Sequence, residues 1–238
     1  MGTLLLSGFL LLFANCNKDP DADFVTREFA VENFHTIDID GVYAIFLVQD
    51  TVCKVTMTAS PRVLDKNKAT VENGILKLSE KHGGHWLHPR ESNTKVYIHV
   101  DSLARINVHE TSDIRTTNPL TGNEIGMVVD YAKAMDADLE LACNTFYYWN
   151  DPNGAHLKLR GQVQNLKIWN TGLAAIDAQA LQTNYALIDN GAQGTIRVRA
   201  LQILEYRLSN TGNILYYGTP AQFMQLGNTG TGQLLQGD

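Results

Sequence analysis

Apolar and polar residues alternate with period two along most of this chain, and the three-and-four spacing of an amphipathic helix is almost absent. The segments 34–49 (FHTIDIDGVYAIFLVQ), 53–58 (CKVTMT), 75–80 (ILKLSE) and 95–100 (KVYIHV) carry the alternation of strands with one buried face. Turn-forming pairs separate them: Asp50 with Thr51, Asn73 with Gly74, and Gly83 with Gly84. Residues 61–69 break the pattern, as a short helical or irregular connection would.

From about residue 104 the alternation acquires a longer period. Asn150, Asn170, Asn190 and Asn210 recur every 20 residues; Asp130 and Glu110 continue the step toward the amino terminus, and Asn228 follows Asn210 after 18. Two places before these anchors stand Val108, Val128, Tyr148, Ile168, Ile188, Leu208 and Leu226, all apolar. Four places before stand Ile106, Gly126, Phe146, Leu166, Ala186, Tyr206 and Met224, none charged. Such columns arise when a unit of about 20 residues lays each short strand on the previous one, in parallel and about 4.8 Å away.

The expected fold class is therefore all-β: a right-handed parallel β-helix, or solenoid, preceded by a stretch of alternating strands. A sandwich of hairpins is the competing all-β architecture, because Asn-Gly favours tight hairpins, but a meander gives no reason for a constant step. Asn-Thr-Gly at 170–172, 210–212 and 228–230 reads as one corner rebuilt in successive coils. Its amides would bond their neighbours above and below, and its glycine would supply a positive φ.

Composition narrows the function. An apolar fraction of 44% supports a folded core, and 18% charged residues is too few for a disordered chain. The formal charge of −6, with no Lys/Arg-rich run, argues against a nucleic-acid partner. The apolar run at 4–14 has the length of a signal-peptide core and is too short to span a bilayer, although no basic residue precedes it. It ends in Phe-Ala-Asn-Cys, a loose lipobox with Cys16 as the lipidated residue, and a polar, acidic tether follows. The expected organisation is a signal peptide at 1–15, lipidated Cys16 and tether at 16–23, and one β-helical domain at 24–238. Within that domain, 24–103 holds the amino-terminal strands and 104–238 the regular coils. Export to the cell envelope, as an outer-membrane lipoprotein exposed at the cell surface, is the matching localisation. Cys53 and Cys143 are expected to be buried free thiols, with a disulfide as the alternative.

Three groups of residues invite chemistry. His82, His85 and His88 lie within seven residues, but their glycine-rich setting does not converge three rings on a metal. Glu110 and Asp130, if stacked, would stand about 5 Å apart, near the separation of a retaining glycosidase pair. The column continues as asparagines, which do not exchange protons at neutral pH, so a structural role is the simpler account. Trp149 and Trp169 each precede an anchor, and Tyr147, Met127, Val129 and Leu187 are expected on the same outward face. An exposed apolar stripe of this kind suits a sugar face or a protein surface, unless other strands cover it. No Walker loop, dinucleotide fingerprint or nucleophile elbow is present, and no cofactor or metal is expected.

The two ends of the domain resemble a known family. Phe24, Phe29 and Phe34, then Ile37, Ile39, Gly41 and Val42, then the run 45–49, look like the opening of the head GIN domain family ("putative autotransporter adhesin"). Gly212, Ile214, Tyr216, Gly218 and Pro220 are similar to its closing Gly-x-Ile-x-Tyr-x-Gly-x-Pro. The resemblance implies an exported, β-helical, surface-associated protein without a catalytic motif. The expected function is a non-enzymatic envelope lipoprotein whose face, with Trp149, Trp169 and Tyr147, binds a surface glycan or protein. The alternatives are a carbohydrate-active enzyme using Glu110 and Asp130, and a scaffold whose last unit, ending in Leu234 and Leu235, docks on another chain or a second copy.

Overall fold

The computed structural model describes residues 24–81, 94–130, 134–151 and 154–238. The signal peptide, Cys16, the tether and the His82, His85 and His88 group lie outside the described residues. Parallel strands stack into a β-solenoid of about six turns. Each full coil contributes to two long faces and a short one, because strands β11 (Met135–Asp151), β12 (Ala155–Asn170) and β13 (Ala175–Asn190) run on through the corner between these faces, the β12–β13 ladder shifting register between Lys158 and Arg160.

The first long face stacks β2 (Thr36–Asp40), β8 (Arg105–Val108), the second half of β10 (Leu120–Asp130), and the second halves of β11, β12, β13 and β14 (Ile196–Leu208). It ends in β16 (Gln222–Asn228). The second long face stacks β3 (Tyr43–Gln49), β9 (Ser112–Thr116), the first halves of β11 to β14, then β15 (Ile214–Tyr217) and β17 (Leu234–Gln236). Inward positions form continuous apolar columns. One runs Ile106, Met127, Tyr148, Ile168, and Ile188, each fully buried. Each such side chain removed from water stabilises the fold by about 1.5–3 kcal/mol.

The amino-terminal strands are both coils and cover. Chain order and spatial order part here: β6 (Ile75–Glu80) and β7 (Lys95–Val100) pair in parallel with β2 and β3 on the side away from β8 and β9. Beyond them the ladder turns antiparallel. Strand β5 (Asn67–Glu72) pairs with β6, β4 (Lys54–Ala59) with β7, and β1 (Val25–Phe29) with β4. The short helix α1 (Pro61–Leu64) carries the chain from β4 to β5 and buries Val63 and Leu64 over that end of the core. Asn67 ties this cap to the first coil: its carbonyl accepts from Tyr43 Oη at 2.8 Å, and its amide donates to the Val63 carbonyl at 2.8 Å. Burial, with Glu80 and Asp40 nearby, pushes the Tyr43 phenol well above its usual range. A solenoid end left uncovered exposes apolar side chains, so such a cap is required for solubility. At the other end no described residue lies beyond β16 and β17, and Phe223, Met224, Leu226 and Leu235 remain exposed.

The constant step of 20 holds only in the middle. Asn150, Asn170 and Asn190 are in register and fully buried. The preceding coils are one residue longer, so Val129, not Asp130, pairs with Asn150, and Val108 lies next to Val129. The following coil is two residues shorter, so Leu208, rather than Asn210, pairs with Asn190. Leu226 and Met224, expected in inward columns, are exposed.

The corner glycines also have a different cause from the one expected. Positive φ occurs at Gly74, Gly161 and Gly218, not at the Asn-Thr-Gly corners. A Cβ on Gly212 would overlap the Gly194 carbonyl oxygen and come within 2.6 Å of the Ala192 oxygen; one on Gly230 would overlap the Asn210 backbone. At these two corners the preceding coil approaches too closely for a side chain, which accounts for glycine in the triplets at 210–212 and 228–230.

Candidate ligand-binding face

Alternation along the first long face sends every second side chain outward, and the parallel register aligns these into columns. Trp149 pairs with Val128 on the coil before and with Trp169 on the next coil, and Trp169 in turn pairs with Asp189. The neighbouring column runs Arg105, Gly126, Tyr147, Lys167, Leu187 and Glu205. Met127 and Val129 belong to the interior, both fully buried, because the longer coil shifts their phase by one; Val128 takes the outward place.

Val128, Tyr147, Trp149 and Trp169 line a shallow, open hollow of about 480 Å³. Trp149 is 38% exposed among the described residues. Gly126 makes the hollow possible. A Cβ there would overlap the Tyr147 ring, so the ring lies down across the glycine toward the preceding coils. It meets Arg105 there. Arg105 Nε donates to Tyr147 Oη at 2.8 Å, and the guanidinium carbon stands 5.7 Å from the ring centroid. At the far edge Arg207 Nη1 lies 2.9 Å from Asp189 Oδ2. Asn107, next to Val128, donates to Asp38 Oδ1 at 2.6 Å.

The carboxylates singled out in the sequence do not stack on each other. Asp130 is in register with Asp151, and its place in the coil before Val129 is occupied by His109, next to Val108. His109 Nδ1 lies 2.5 Å from Asp130 Oδ1, so Asp130 has an imidazole partner, while Glu110 sits in the bend after it. An acid/base pair of Glu110 and Asp130 has no support in this register. On the second long face charges are interleaved: Arg160 bonds Asp138 and Glu140, Arg115 bonds Asp113, and His156 lies 3.5 Å from Asp136. Exposed pairs of this kind add little stability each and no chemistry. Among the described residues no three His, Cys, Asp or Glu side chains converge as a metal site.

Both described thiols are free. Cys143 is buried, which pushes its thiol up to about 11. Cys53 is half-buried, 3.6 Å from Asp101 Oδ1.

Sequence patterning found the two tryptophans and Tyr147 but missed Arg105, Gly126 and Val128. The signal was present: one glycine stands in a column of larger outward residues, one coil before the tyrosine that fills its space.

Comparison with known proteins places this geometry. The sequence profile of a family described as "Putative auto-transporter adhesin, head GIN domain" matches residues 33–220. A crystal structure of a "putative adhesin" from Bacteroides fragilis NCTC 9343 is 20% identical, with a TM-score of 0.81, over 91% of this chain and 98% of that one. A "Putative lipid binding protein" from Parabacteroides distasonis ATCC 8503 is 19% identical, with a TM-score of 0.64, over 92% and 98%. A "putative adhesin" from the same organism is 16% identical, with a TM-score of 0.62, over 92% and 98%. At these identities the likeness is one of fold. No curated protein matches the chain. The profile match spans most of the sequence and agrees with the observed solenoid: the chain belongs to the head GIN domain family.

Proposed function

We propose that this protein is a non-enzymatic, exported lipoprotein of the cell envelope that binds a surface glycan on its aromatic face. The observation that carries the reading is the open pair Trp149 and Trp169, in register with Tyr147 beside them and the hollow they share with Val128. Flat apolar rings on a rigid sheet offer stacking area to the C–H faces of a pyranose at little entropic cost. The adhesin description of the family supports a ligand outside the cell. An enclosed tunnel for an acyl chain, as a lipid carrier would use, is not what this open hollow resembles. Cys16 is the proposed anchor.

Glycan-array binding of the protein with its signal peptide and lipid removed tests the face. Trp149→Ala and Trp169→Ala should each weaken binding about tenfold or more, the loss of one stacked ring. Unchanged binding in both variants removes the proposal. Labelling of cells with radioactive palmitate tests the anchor: label should follow the wild type and vanish in Cys16→Ala.

A further inference from the structure

We infer that the ligand of this face is an acidic saccharide whose carboxylate is held by Arg105. The inference rests on the glycan reading above and specifies the sugar. Arg105 spends its Nε on Tyr147 Oη, and its four terminal N–H groups have no acceptor among the described residues. A guanidinium fixed at one edge and free at the other is a preformed fork for a carboxylate, since less side-chain freedom is lost when the acid binds. The arrangement is built rather than incidental: Gly126 leaves the gap, Tyr147 fills it, and the ring holds the guanidinium from two coils away.

The surrounding charge agrees. Lys167 follows Tyr147 in the same column and forms no ion pair with a described residue. Between Arg105 and Lys167 in that column, and between Asn107 and Trp169 in the next, there is no carboxylate. The nearest acids within these two columns are Asp38, which accepts from Asn107, and Asp189, which is paired with Arg207. Along the strands, Asp130 lies against His109, Asp151 accepts from Thr171 Oγ1, and Glu124 stands two residues before Gly126. Two cations thus flank the aromatic hollow of a protein whose net charge is −6. A neutral sugar would leave both unused; a uronic or sialic residue would stack on Trp149 and Trp169 and present its acid to Arg105.

The test uses an array of matched pairs, each a carboxylate-bearing glycan beside the same glycan with its carboxyl reduced to an alcohol. The acidic member should bind about tenfold or more tightly, as expected for a charge-assisted hydrogen-bond pair. Arg105→Gln should abolish the preference, bringing the acidic member down to the level at which the same variant binds the neutral twin. Tyr147→Phe keeps the ring, removes the hydroxyl that positions Arg105, and should lose part of the preference. Equal binding of both members, with both weakened by Trp149→Ala, overturns the acidic ligand while the glycan face stands. Binding to neither overturns both. An acidic preference that survives Arg105→Gln in a variant with wild-type thermal midpoint places the acid elsewhere and also overturns the inference.

Discussion

Asn150 Nδ2 donates to Asn170 Oδ1 at 3.0 Å, across two adjacent coils and with both side chains fully buried. The column does not continue this bond. Asn170 Nδ2 donates to the Ala174 carbonyl and Asn190 Nδ2 to the Gly194 carbonyl, each at 3.1 Å, so these two amides hold their own corners. Asn210, displaced from the column, instead reaches back one coil and donates to the Gly191 carbonyl at 3.0 Å.

Asn170→Ala leaves the Asn150 amide without this acceptor and the Ala174 carbonyl without this donor. Unfolding in urea should show a loss of about 1–3 kcal/mol. Asn170→Asp should cost more at neutral pH, because it buries a charge beside a backbone oxygen.

Two glycine substitutions should separate. In Gly212→Ala the new methyl meets backbone oxygens of the preceding coil, which cannot move without the coil. In Gly126→Ala it meets the end of the Tyr147 side chain, which can swing out. The first should lower stability by about 1–3 kcal/mol or more, while the second costs less. The binding assay should reverse the order, with only Gly126→Ala disturbing the aromatic hollow.

Tyr148 stands in the buried apolar column with its hydroxyl unbonded among the described residues, and burial pushes the phenol well above its usual range. Removing that hydroxyl removes an uncompensated polar group. Tyr148→Phe should be at least as stable as the wild type, and a gain of about 1 kcal/mol in denaturant is expected.

Alkali should act through Cys143. Its folded pKa, about 11, is raised above the ordinary thiol range, so the folded state keeps its proton where the unfolded chain has lost it. The contribution is fully present below the unfolded value and is lost as pH rises toward 11. Iodoacetamide at pH 9 should modify Cys53 rapidly and Cys143 only at the rate of unfolding.

Much of this architecture was legible because the side chains that must face inward repeat. Period-two alternation marked β2, β3, β4, β6 and β7, and the step of 20 located Asn150, Asn170 and Asn190 in true register. The step failed where coils gain or lose residues at the corners, since anchor spacing says nothing about where an extra residue is absorbed. That failure exchanged Val128 for Val129 and aligned Asp130 with Glu110, which created the apparent carboxylate pair. The place of β6 and β7 outside β2 and β3 was not legible, because alternation reports which face is buried and not which strand lies alongside. Arg105 was hidden for a related reason: it reaches Tyr147 only across a rung that Gly126 leaves empty.

The insertion of the β2–β3 coil between β6–β7 and β8–β9 gives the two halves of the chain different routes to the native state. Strands β2 and β3 are synthesised early, yet both of their neighbours come later, and the second is complete only at Thr116. The first 116 residues must therefore close long loops before any coil is covered on both sides, a slow, all-or-none step of high contact order. After Leu120 each new coil meets a finished edge and adds by nearest-neighbour contact. Shortening from the carboxyl end should remove coils one at a time, whereas a break before residue 116 should cost the whole nucleus.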